Sequence, residues 1–251
     1  MNTAYYQWFS PALGQTMELK VYGFYGKPLL VFPAQGGRFY EFEDFGMISV
    51  IAPFIEAGQV KVITVDSLDN QSWANTAAHP AERARRHEHY DRYITQEVVP
   101  FIHEQCGGQP LKVMTTGVSM GAYHAANFFF RHPQLFDGVI AMSGLYSLNY
   151  FIGDYMDETV YFNSPLAYLG NLEDEELLKL YRQSRIIICT GQGAWEEPMV
   201  KDARALLWLL QVKGIPAEVD FWGHDVNHDW PWWRKMLPHH LEKMNLPGWQ
   251  G

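Results

Sequence analysis

The sequence predicts an α/β fold: a mostly parallel, doubly wound sheet with helices on both faces. Three observations carry this. Short β-branched runs recur along the chain, helical stretches alternate with them, and the length and composition suit one core. With 251 residues, 47% of them hydrophobic, the chain fits a single large domain (1–251) better than two small ones.

Taken in order, residues 20–22 end an N-terminal hairpin, and 28–32 form an apolar run bounded by glycine and proline. Further runs follow at 60–65, 111–116, 139–142, 185–190 and 217–222. Each is short and rich in β-branched residues, the mark of buried parallel strands. Helices are expected at 80–106, at 122–131 before His132-Pro133, and at 198–213 before Gly214. This alternation argues for an open, doubly wound sheet. The stretch of about 145–180, rich in aromatics and acids, breaks the rhythm and is expected to be a cap-like insertion over a site.

Composition narrows the function. A net charge of −9 without any dense basic run disfavours nucleic acid as a partner. Cys106 and Cys189 lie far apart and form no CxxC pair, so both are read as reduced thiols. No secretory signal and no membrane span is recognised, and the expectation is a soluble cytoplasmic protein. Assembly into a homo-oligomer stays open.

Gly117-Val118-Ser119-Met120-Gly121 follows an apolar strand and opens an Ala-rich helix. That is the setting of a nucleophile elbow, a sharp turn that pushes the serine into strained backbone space while glycines admit close neighbours. Ser119 is therefore the expected nucleophile, on an α/β-hydrolase fold.

On this fold the triad runs serine, acid, histidine. The base belongs after the last strand, where His224 and His228 share the loop 223–230. His228 directly precedes Asp229, a natural N-cap, and Pro231, which suits a first helical turn. A ring fixed beside a capped helix suits a general base, so His228 is favoured over His224. The spacing of these two histidines would suit a metal on a helix, but Gly223 and Pro231 bracket a loop and no H-E-x-x-H occurs. Neither metal nor cofactor is expected. His87, His89 and His103 read as solvated positions on a charged helix.

The acid belongs one strand earlier, in Gly191-Gln192-Gly193-Ala194-Trp195-Glu196-Glu197-Pro198. Glu196 is assigned over Glu197, whose competing role is a helix N-terminal acid, with Asp202 and Asp225 next in line. The oxyanion hole needs two backbone N–H groups. Met120, after the nucleophile, supplies one. Gln35, in the turn Pro33-Ala34-Gln35-Gly36-Gly37, supplies the other, with Gly36 as the alternative donor. Trp195, Trp230 and Tyr40 are candidate substrate contacts, and Asp66, Ser67, Asp69 and Trp73 are further candidates for the rim.

These motifs resemble the Putative esterase family, whose relatives include esterase D (S-formylglutathione hydrolase) and the mycolyltransferases. The resemblance runs from about residue 28 to 241. Residues 117–121 match the family's G-x-S-M-G elbow. His228-Asp229-Trp230-Pro231-Trp232-Trp233 matches an H-D-W-P-x-W signature whose histidine serves as base. Gly193-Ala194-Trp195-Glu196 looks like the acid loop, although esterase D-like members usually carry an aspartate nearer the strand. The resemblance implies hydrolysis of a small carboxylic or thio ester through an acyl-enzyme, without a cofactor. Acyl transfer by the same triad, a non-catalytic binding role and metal-dependent hydrolysis are the alternatives.

Overall fold

A computed structural model describes residues 1–248. The chain opens with an antiparallel hairpin of β1 (Thr3–Ser10) and β2 (Gln15–Tyr22), then β3 (Lys27–Phe32), α1 (Glu41–Asp44), α2 (Met47–Glu56) and β4 (Val60–Val65). A long helical segment comprises α3 (Pro80–Tyr93), a π-helical turn (Ile94–Val98) and α4 (Val99–Gln105). After β5 (Val113–Val118) come α5 (Met120–Arg131) and β6 (Phe136–Met142). Four short helices follow: α6 (Asn149–Ile152), α7 (Glu158–Phe162), α8 (Pro165–Tyr168) and α9 (Glu175–Arg182). The chain then forms β7 (Arg185–Thr190), α10 (Glu197–Val212), β8 (Glu218–Phe221) and α11 (Trp230–Met244).

The eight strands form one sheet in the order β1-β2-β4-β3-β5-β6-β7-β8. β1 and β2 run antiparallel to their neighbours, and the pairings from β4 to β8 are parallel. Alternate residues of the strands face two separate layers. Leu30, Phe32 and Ile63 pack with α3, α5 and α10, while Leu29, Val31 and Val62 pack with α2 and α11. Both faces of the central strands β3 to β7 are covered, which is why their sequences read as mostly apolar runs.

The order reverses between β3 and β5, since β3 leads to β4 on one side and β5 leads to β6 on the other. Carboxyl ends of strands at such a switch point form a crevice. Phe32 and Gly117 are paired across these two strands, so the turn after β3 and the serine after β5 emerge side by side.

Two expectations need correction. The helix expected at 80–106 is interrupted by the π-helical turn just before Pro100, whose ring would clash with the carbonyl of Gln96 in a regular helix. His87 is fully buried rather than solvated. Arg83, Ala84, His87, Tyr90 and Asp91 recur at helical spacing and make up the buried face of α3, a stripe that the charged composition conceals.

Candidate active site

Ser119 sits between β5 and α5 with φ 55° and ψ −120°, a conformation that L-residues seldom adopt. The flanking glycines make the turn feasible. A Cβ on Gly121 would lie 2.2 Å from the Phe32 carbonyl oxygen, and one on Gly117 would lie 2.3 Å from that of Gly121. Any larger residue would drive α5 away from β3.

Ser119 Oγ lies 2.9 Å from His228 Nε2. Beyond the ring, His228 Nδ1 lies 3.4 Å from Glu196 Oε2, a separation that a hydrogen bond would have to shorten. Catalytic hydrogen bonds are often long without substrate and tighten around it. Glu196 is fully buried, whereas Glu197 is exposed at the wall of the adjoining cavity.

Three side chains that sequence reasoning missed hold Glu196. Its Oε1 accepts from Ser143 Oγ at 2.6 Å and its Oε2 from Thr190 Oγ1 at 2.9 Å. Ser143 in turn accepts from Trp233 Nε1 at 3.0 Å. An indole N–H can only donate, so the Ser143 proton is directed to Glu196. Ser143, like Ser119, has φ 55°. The signal for Thr190 and Ser143 was their position just at or after strand ends, where polar groups gather at the carboxyl edge.

The acid and histidine loops are laced together. Gly193 N–H donates to Val226 O at 2.8 Å, Ala194 N–H to Asn227 Oδ1 at 2.8 Å, and His228 N–H to Ala194 O at 3.0 Å. Gly191 permits this approach, because a Cβ there would lie 2.1 Å from Val226 O. Asp202, an alternative acid, is engaged elsewhere and accepts the N–H groups of Tyr146 and Ser147. Asp225 and His224 are exposed.

A cavity of about 560 Å³ adjoins the serine. Ser119, His228, Gln35 and Met120 meet there with apolar walls from Tyr123, Leu145, Tyr150, Phe151, Pro198 and Met199. Leu145, Tyr150 and Phe151 come from the segment between β6 and β7. Burial pushes the Tyr123 phenol well above its usual pKa, so this wall stays neutral. Trp195 also lines the cavity; it is 85% exposed, with φ 69°.

Tyr40 and Trp230 correct the expected rim, since neither lines the cavity. Trp230 is buried against Phe42, Phe45 and Trp233, where it packs the start of α11 against α1, and Tyr40 packs edge-on against Phe39. Asp66, Ser67, Asp69 and Trp73 also stand outside the lining. Asp66 pairs with Arg38, Trp73 is fully buried, and Asp69 is hydrogen-bonded to His124, a partner the sequence did not suggest.

Among the described residues, Asp220, His239 and His240 are the group with spacing that could hold a metal, and none of them lines the cavity. Cys106 and Cys189 are both free thiols. Among the described residues, no helix is long and apolar enough to cross a membrane.

Similar architectures occur among solved structures. A ferulic acid esterase matches with 18% identity and a TM-score of 0.74, over 96% of each chain. An S-formylglutathione hydrolase from Staphylococcus aureus matches with 18% identity and a TM-score of 0.69, over 97% of this chain and 96% of that one. MPT51 of Mycobacterium tuberculosis matches with 14% identity and a TM-score of 0.71, over 96% and 97%. At these identities the likeness is one of fold, the α/β-hydrolase fold. No significantly similar sequence is found among curated proteins. The family model described as Putative esterase matches residues 10–244, nearly the whole chain, and the protein belongs to that family.

Proposed function

We propose that the protein is a serine esterase that hydrolyses a carboxylic or thio ester through an acyl-enzyme, with Ser119, His228 and Glu196 as its triad. The observation that carries this reading is the 2.9 Å contact between Ser119 Oγ and His228 Nε2 at a strained strand-to-helix turn. His228 takes the serine proton as Oγ attacks the ester carbonyl, and Glu196 stabilises the imidazolium that forms. The Met120 and Gln35 amides face the developing oxyanion. The imidazolium then protonates the leaving alcohol or thiol, and water, activated by the same histidine, releases the acid. Each step uses groups of this chain and water.

The apolar walls of the cavity favour a hydrophobic acyl or alcohol group. A fluorophosphonate probe, peptide mapping of the adduct, and hydrolysis of p-nitrophenyl esters of graded chain length test the reading. Labelling at Ser119 with release of free acid is expected. An enzyme that hydrolyses these esters but leaves Ser119 unlabelled would overturn it.

A further inference from the structure

The turn after β3 offers a complete account of its backbone donors. Pro33 has none. Ala34 N–H donates to Glu41 Oε2 at 2.7 Å, and Gly36 N–H to Asp69 Oδ2 at 3.1 Å. Gly37 N–H donates to Ala34 O at 2.8 Å. Among the described residues the Gln35 N–H has no partner, and Gln35 lines the cavity beside Ser119. Of the four amides, only this one is left for a ligand.

Both carboxylates are built into the fold. Asp69 is fully buried, and its second oxygen lies 2.7 Å from His124 Nε2, itself 1% exposed on α5. An ionised carboxylate only accepts, so this ring nitrogen carries the proton. The paired glycines fit the same purpose. Gly36 has φ +68°, and a Cβ on Gly37 would lie 2.6 Å from Glu41 Oε1. A larger residue at Gly37 would push the Glu41 carboxylate off the loop, and a larger one at Gly36 would be strained at that positive φ.

We infer that Glu41 and Asp69 are positioning residues: by fixing the Ala34 and Gly36 amides they present the Gln35 N–H alone to the oxyanion. The inference rests on the serine-esterase reading. Neither carboxylate stabilises the oxyanion directly, because like charges repel. Each acts through the hydrogen bond it accepts, so an uncharged acceptor of the same shape substitutes for Glu41, and for Asp69 once the His124 ring proton moves to the unpartnered Nδ1 and Nε2 accepts from the amide.

The test compares Glu41→Ala and Glu41→Gln, and Asp69→Ala and Asp69→Asn, on p-nitrophenyl butyrate. Loss of one oxyanion donor costs about 10²–10³ in rate, so a misaligned donor should cost about ten- to a hundredfold. The alanine variants should lose that much in kcat with KM within about threefold, and bind an alkylboronic acid correspondingly less well. The amide variants should recover most of the rate, which a merely structural role for the charge would not produce. Glu41 is only part-buried, at the start of α1, so its variants serve if Asp69→Ala fails to fold. Alanine variants that keep the parent kcat, or amide variants as slow as the alanines, overturn the inference. Ser119→Ala in the same assay separates the two readings: if it too keeps the parent rate, the esterase assignment falls and not the clamp alone.

Discussion

Glu196 presents Oε2 3.4 Å from His228 Nδ1, while its neighbour Glu197 is exposed and has no contact with the ring. Their substitutions should therefore diverge. In Glu196→Gln the Ser143 proton, fixed by Trp233, holds the amide oxygen, so the NH₂ group turns toward Thr190 and His228. That favours the tautomer with Nε2 protonated, which cannot accept from Ser119. The expected loss in kcat is about 10⁴-fold, as for the equivalent change in serine proteases, with about 1 kcal/mol of stability lost from the imperfect fit. Glu197→Gln should stay within a few-fold of the parent rate. Steady-state kinetics with chemical denaturation measures both, and the reverse pattern would move the acid to Glu197.

Ser119, the proposed nucleophile, sits on a strained backbone. Ser119→Ala should reduce kcat/KM by on the order of 10⁴-fold or more while circular dichroism is unchanged. Ser119→Gly should be equally inactive yet more stable. Strain at such a conformation is worth about 1–3 kcal/mol, against roughly 0.5–1 kcal/mol for glycine's extra chain entropy. A lower melting temperature for the glycine variant would contradict the strain argument.

Trp195, unlike Ser119 and Ser143, is exposed, and it too has a positive φ, 69°. Asparagine tolerates that conformation, so Trp195→Asn should leave the melting temperature unchanged or slightly raised. The loss of its indole from the cavity wall should raise KM several-fold for esters with bulky acyl groups and hardly at all for the acetate. An equal rise for every ester would remove Trp195 from acyl recognition.

His240 is fully buried and its pKa is pushed down to about 4 by burial, against the opposing pull of Glu218 and Asp220. The unfolded chain takes up the proton near pH 6.5, whereas the folded protein does so only near pH 4. Unfolding is thus favoured as pH falls through that window, by at most about 3 kcal/mol from this residue. Burial lowers His87 in the same direction. Urea titrations from pH 7 to 4.5 should show His240→Phe losing less stability than the parent on acidification. Parallel curves would assign the acid sensitivity to other groups.

The strands, the serine turn and the order of the loops were legible because each depends on local chemistry. Apolar runs bury on both faces, glycines permit a tight turn, and Asp229 and Pro231 start a helix. The triad candidates followed from the serine turn, the order of strand ends and the helix start at Asp229 and Pro231.

Tertiary structure decided what composition could not. Trp230 and Tyr40 look like cavity aromatics in sequence, but a ring's address depends on which layer its strand or helix faces. His87 reads as solvated within a charged helix until α5 packs over it. Glu196 and Glu197 are adjacent and chemically alike, but the fold buries Glu196 beside Ser143, Thr190 and His228 and leaves Glu197 exposed. Likewise, Asp69 and Glu41 reach the turn at Gln35 from separate segments of the chain. Local sequence fixes backbone conformation through short-range sterics and capping, whereas the partner of a buried polar group is chosen by the packing of distant segments.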